Sequence, residues 1–86
     1  MEIKLILFSS KRCSVCESLK PKLKEIAQKF NIPFSEVSLD ENPEEVSKRL
    51  ILSAPVVLLE MGGKEINRWA GVFSVAQIEE FLRRIL

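Results

Sequence analysis

At 86 residues, with close to half of them hydrophobic and only three glycines and four prolines, the chain has the size and composition of one globular domain rather than a disordered one. Thirteen Lys and Arg against twelve Asp and Glu leave a net charge of +1, so no overall field recruits nucleic acid or an anionic membrane surface. The apolar run at residues 5–8 is far shorter than the roughly 20 residues of a membrane helix or the roughly 7–15 of a signal-peptide core, and the chain reads as cytoplasmic.

Residues 3–8 are apolar except for Lys4, as suits a central parallel strand covered on both faces. From Val15 onward, Val15, Leu19, Leu23, Ile26 and Phe30 recur at helical spacing, leaving Lys20, Lys22, Lys24, Glu25 and Lys29 to face water for the most part. Pro21 falls inside this helix and should bend it about one turn past Cys16. Asn31 and Pro33 end it. Residues 34–39 form a second strand, and the segment from Asp40 to Glu45 supplies a cap, an early proline and first-turn acids for a short helix reaching about Leu50.

A third apolar strand spans residues 55–60, and a turn at Met61, Gly62, Gly63 and Lys64 leads into a more polar strand at 65–70, making a hairpin. Ser74 with Gln77 has the spacing of a capping box, and Phe73 with Ile78 that of a hydrophobic staple, so the last helix starts there. Glu79 and Glu80 early in it and Arg83 and Arg84 late in it suit the helix dipole. The order is β-α-β-α-β-β-α, an α/β arrangement. Its opening βαβ unit makes neighbouring parallel strands, to which the hairpin adds an antiparallel edge. No repeat, linker or low-complexity segment interrupts the chain, and residues 1–86 read as a single domain.

The chain has two cysteines, and they are separated by two residues, a spacing that suits redox chemistry or metal binding in a reducing compartment better than stapling a secreted fold. Cys13-Ser14-Val15-Cys16 falls where the first strand gives way to the first helix. Backbone N–H groups of Ser14 and the residues after it can therefore point toward the Cys13 sulfur, and Lys11 and Arg12 add positive charge. Both effects lower a thiol pKa below the roughly 8.5 of a free cysteine, which makes Cys13 the attacking thiolate. Cys16, one turn inward, is placed to resolve a mixed disulfide. Two alternatives stand beside this: a pair of buried small hydrophobes, and a metal site. A structural zinc site wants four Cys or His ligands, and this chain has no His and no further Cys, so no metal is assigned: one would need a second chain or unusual carboxylate ligation.

With these residues in view, the chain resembles the thioredoxin superfamily, and more narrowly its short members of glutaredoxin size. The likeness spans nearly the whole sequence and rests on the cysteine pair, Pro21 five residues after Cys16, Asp40-Glu41-Asn42-Pro43, Ala54-Pro55 opening a strand, and Gly71 before Ser74. It implies a thioredoxin-like fold, a four-stranded mixed sheet with three helices. It further implies that Pro55 is cis beside the cysteines, and that Ala54, Gly71 and Val72 line a substrate groove. For Gly71 an ordinary turn glycine is an equal alternative, and for Pro55 a trans proline at a strand start remains open.

Three departures from the family pattern stand out. Arg12 occupies the position where thioredoxins usually carry tryptophan, so it joins the substrate-contact candidates. Leu7 stands where longer thioredoxins place a buried aspartate that helps move the resolving cysteine's proton; Glu36 on the next strand is the possible replacement, its alternative being an ordinary surface carboxylate. Val72-Phe73 follows the glycine where glutathione-binding glutaredoxins usually carry acids. Lys11 could contact a glutathione carboxylate, but a solvated charge that stabilises the thiolate is preferred. Trp69 on the edge strand reads as core cover or, alternatively, a partner contact.

The function expected is dithiol exchange on protein disulfides by a monomer that needs no bound cofactor beyond the redox-active Cys13–Cys16 disulfide. Electrons would come from a flavin-dependent reductase or from glutathione. The rivals are a glutathione-dependent, glutaredoxin-like reductase and a non-enzymatic metal- or protein-binding module built on the cysteine pair.

Overall fold

The computed structural model describes residues 2–86. These form β1 (Ile3–Ser9), α1 (Ser14–Lys29), β2 (Phe34–Ser38), α2 (Pro43–Arg49), β3 (Val56–Met61), β4 (Lys64–Ala70) and α3 (Val75–Ile85), the order expected from the sequence. The four strands make one sheet in the order β2-β1-β3-β4. β1 is central, parallel to β2 on one side and antiparallel to β3 on the other, and β3 and β4 form the hairpin. The expectation of a parallel central strand thus holds along one edge of β1 only.

Alternation along β1 divides the core between the two sheet faces. Leu5 and Leu7, with Val57 and Leu59 of β3, pack against Leu19, Leu23 and Ile26 of α1 and Ile78 and Leu82 of α3. Ile6 and Phe8, with Val56 and Leu58, meet Ile51 and the half-buried Val46 on the α2 side. A strand covered on both faces must be apolar at successive positions, which accounts for the continuous run that opens the chain.

Helix α1 passes through Pro21 without interruption. Its end is a Schellman turn: Asn31 takes positive φ (55°), its N–H donates to the Gln28 carbonyl, and the Ile32 N–H donates to the Ala27 carbonyl. Helix α2 ends the same way, with Leu50 at φ 55° and the Leu50 and Ile51 N–H groups donating to the carbonyls of Ser47 and Val46. At the head of α3, the Ser74 N–H donates to Gln77 Oε1 at 2.9 Å, as the capping pattern requires.

One strand end collects the loops of interest. Phe8 pairs with Val56, and Val56 with Ala70, so the segments following β1, preceding β3 and following β4 all leave the sheet at the same end. Those segments carry Cys13, Pro55 and Gly71.

Candidate active site

Cys13 is the N-cap of α1, in extended conformation with φ −118°, and its sulfur accepts the Cys16 N–H at 3.1 Å. The donor is the third residue of the helix rather than Ser14, as capping geometry dictates: the cap side chain reaches the N–H groups one turn in. Cys13 and Cys16 are joined by a disulfide, with Cα atoms 5.2 Å apart. Their exposures differ. Cys13 is half-buried while Cys16, on the apolar face of α1, is only 3% exposed. One sulfur therefore faces incoming reagents and the other faces the interior.

The loop before Cys13 is pinned from an unexpected quarter. The Lys11 N–H donates to Asp40 Oδ2 at 2.9 Å, across 29 residues of sequence. The cap of α2 is Asn42, within the segment expected to supply it, which leaves the Asp40 carboxylate free for this bond. Lys11 lines a cleft with Ser38, Glu41 and Asn42, and the exposed Arg12 lies beside Cys13 in the chain.

A cleft of about 310 Å³ opens beside the disulfide, lined by Ser9, Ser10, Cys13, Cys16, Glu17, Lys20 and Glu36. Glu36 reaches it from β2, where it pairs in register with Leu7 and so shares the sheet face of α1. Its carboxylate accepts from the Ser9 hydroxyl at 2.7 Å and from Lys20 Nζ at 2.8 Å. The Lys20 ammonium, with help from Ser9, holds the Glu36 carboxyl below the ordinary glutamate range, and the same pairing raises Lys20 above the ordinary lysine value. Lys20 is thus not simply part of the wet face of α1. Helical periodicity places it at the boundary of that face but says nothing of a partner 16 positions away on another element.

At the same end of the sheet as the cysteine loop, ahead of β3, the Ala54–Pro55 peptide bond is cis and both residues are half-buried. Gly71 has φ +72°, a left-handed conformation that glycine adopts freely, and Val72 after it is fully exposed. Trp69 packs against the α1/α3 core, edge-on to Phe81 with ring centroids 5.5 Å apart, which accounts for it as core cover. Among the described residues no three His, Cys, Asp or Glu side chains are grouped to hold a metal ion, and no helix is long and apolar enough to cross a membrane.

A disulfide at the head of a helix, one sulfur accessible and one buried, on a mixed sheet of this order, defines a thiol–disulfide oxidoreductase. The thioredoxin family model matches residues 1–84, and a thioredoxin of Alicyclobacillus acidocaldarius is 30% identical over 84 residues, covering 95% of this chain and 80% of that protein. The chain belongs to the thioredoxin family. Among solved structures, thioredoxin 1 of the thermophilic eubacterium Thermosipho africanus is similar at a TM-score of 0.91 and 30% identity, covering 95% of this chain and 92% of that one. A Schistosoma mansoni thioredoxin pre-protein shares the fold, with a TM-score of 0.88 at 22% identity over 99% of this chain and 80% of that one.

Proposed function

We propose that this protein reduces protein disulfides as a single-domain cytoplasmic monomer, with Cys13 attacking and Cys16 resolving. The observation that carries the order of attack is the difference in burial between the two sulfurs at the head of α1. The Cys13 thiolate attacks one substrate sulfur and expels the other as a thiolate, forming a mixed disulfide. The Cys16 thiol then loses its proton and attacks the Cys13 sulfur, releasing the second substrate thiolate and leaving the Cys13–Cys16 disulfide. Two electrons and two protons pass to the substrate in the cycle, and a donor returns them.

Glu36 is the residue we assign to receive the Cys16 proton, because both residues line the same cleft. Its ion pair with Lys20 keeps it charged through the neutral range, so it would act as a transient acceptor through solvent in the cleft. Ala54, Pro55, Gly71 and Val72 serve as the edge along which a substrate chain lies, with Arg12 at the opposite lip and Lys11 adding positive charge near the thiolate. A flavin-dependent reductase is the preferred donor, since Val72-Phe73 offers no carboxylate where glutaredoxins usually place acids.

Insulin reduction assayed with NADPH and a flavin-dependent thioredoxin reductase, and separately with glutathione and its reductase, tests this proposal. Turnover with the first donor system is expected. Turnover with glutathione alone, sustained by a Cys16→Ser variant, would instead establish a glutaredoxin-like monothiol reaction.

A further inference from the structure

The rung that follows the last backbone pair of β1 and β2 is made by a side chain. Ser9 faces Ser38 in that last pair, and the Leu39 N–H donates to the Ser9 carbonyl at 2.8 Å. Were the parallel ladder to continue, the Lys11 N–H would donate to the Leu39 carbonyl. Residues 39–41 turn away instead, and the Lys11 N–H donates to Asp40 Oδ2 at 2.9 Å. A carboxylate thus replaces a backbone acceptor and carries the pairing beyond the end of β1, into the loop that leads to Cys13. The turn bearing Asp40 is itself fastened, since the Asn42 N–H and Asn42 Nδ2 both donate to the Ser38 carbonyl, at 3.1 and 3.0 Å. What the carboxylate holds is short: only residues 10–13 join β1 to α1, and the last of them is the N-cap. The Cys13 sulfur accepts the Cys16 N–H while the cap residue stays extended against the first turn, and that bond favours the thiolate.

We propose that Asp40 is a positioning residue for the attacking sulfur: by tethering the Lys11 N–H, it keeps Cys13 where the thiolate meets the Cys16 N–H and lies open to a disulfide. The inference rests on the proposed attack by Cys13 and adds to it a residue of another loop, 29 positions from its partner. A loop released at Lys11 regains backbone rotation at Lys11, Arg12 and Cys13, and the sulfur then spends less time in the cap position. The carboxylate works through geometry and not through its charge. Asp40 is exposed, where water and salt screen it. The charged groups about Cys13 are Lys11 and Arg12 ahead of it and Glu17, Lys20 and Glu36 around the cleft, and all of them stay when Asp40 is replaced. The start of α2 stays as well, because its cap is Asn42.

The test compares the reduced parent, Asp40→Ala and Asp40→Asn by two readings. One is the second-order rate constant at pH 7 for exchange with bis(2-hydroxyethyl) disulfide; the other is the pH profile of Cys13 alkylation by iodoacetamide, followed by mass mapping. Asp40→Ala removes the acceptor and should exchange about fivefold more slowly, the scale of one hydrogen bond. Its alkylation profile should move to higher pH as the bond from the Cys16 N–H loosens. Asp40→Asn keeps an acceptor oxygen and loses only the charge, so it should restore both readings. Loss of a nearby negative charge acts in the opposite sense, and a profile moved to lower pH in both variants overturns the inference. Parent-like readings in Asp40→Ala overturn it too, as does a lowered thermal midpoint in that variant with an unmoved alkylation profile, the mark of a purely structural turn. A reduced parent that fails to exchange with the disulfide at all would overturn the reductase reading itself, so the two failures are distinguishable.

Discussion

Cys13 and Cys16 are chemically identical side chains given different tasks by three residues of helix. The cap position leaves Cys13 at the surface with its sulfur on the Cys16 N–H, whereas Cys16 falls on the buried face. With attack and resolution divided in this way, Cys16→Ser should accumulate a stable mixed disulfide with a protein substrate, visible on non-reducing gels, and Cys13→Ser should trap none. Equal trapping by both would remove the order of attack. Glu36 and Lys20 make a second residue-scale case. Glu36 is held below the ordinary glutamate range, so the stability that its pairing confers is present above that range and is lost as pH falls through its folded value. Lys20 is raised, so its share persists up to the ordinary lysine range and is lost only as pH rises through its own folded value. Lys20→Met should therefore lower the thermal midpoint modestly at pH 7, the two side chains being 42% and 32% exposed and so screened. The difference from the parent should close as the pH is taken into the acid range. A difference that stays constant from pH 7 down to about pH 2, well below the ordinary range of glutamate, would mean that the lysine acts through packing and not through Glu36.

Helix α2 depends less on its own sequence than α1 or α3 do. It has seven residues and buries none of them fully, and a helix of that length is marginal by itself. What fastens it is a cluster of charges reaching from the hairpin. Arg49 pairs with Glu45 on its own helix and with Glu60 of β3, and lies 5.9 Å from the centre of the Phe8 ring, while Arg68 of β4 pairs with Glu65 and caps the last carbonyls. Arg68→Met, which keeps the stem and removes the donors, should cost about 1 kcal/mol in urea unfolding, the usual net worth of such bonds at a part-exposed site. Hydrogen exchange should quicken in α2 before it does in β1. Within the clasp only Arg49 with Glu45 stands at a spacing that the sequence displays; the bonds from Arg49 to Glu60 and from Arg68 to the end of α2 join residues 11 to 19 positions apart, and exposed charges have no periodicity that pairs them at that range. Local signals, by contrast, carried well. The apolar spacing from Leu19 to Phe30 gave the axis and face of α1, whereas Val15, read as part of that face, is 55% exposed in the first turn, where Cys16 takes the buried position instead; Ser74 with Gln77 gave the start of α3. The site divides along the same line: the cysteine pair declares itself by spacing, while Asp40 under the Lys11 loop and Lys20 beside Glu36 become functional neighbours only once β2 is laid along β1.

For the molecule as a whole, a redox cycle demands that the fold survive in both oxidation states, and the distribution of buried surface meets that demand. Leu5, Leu7, Phe8, Leu23, Val57, Leu58, Leu59, Ile78 and Leu82 are completely buried, drawn from β1, β3, α1 and α3 and covering both sheet faces, and no buried side-chain N or O among the described residues lacks a partner. Such a core is expected to supply most of a net stability on the order of 5–15 kcal/mol. The disulfide adds little to it. With a sequence separation of three it closes a loop of four residues, for which the chain-entropy relation gives only about 2 kcal/mol of destabilisation of the unfolded chain. In a domain of this size that is equivalent to a shift of about 8–16 °C in thermal midpoint as an upper bound. Reduction with dithiothreitol should therefore lower the midpoint by no more than that amount, leave the unfolding transition single and cooperative, and leave far-UV circular dichroism unchanged at 25 °C. Truncating the shared core is a different matter: Leu59→Ala, at the junction of β1, β3 and the α1/α3 layer, should cost about 2–5 kcal/mol in either redox state. If reduction proved the more damaging of the two, the cysteine bridge would be part of the scaffold, and the protein could not cycle through its dithiol form without unfolding.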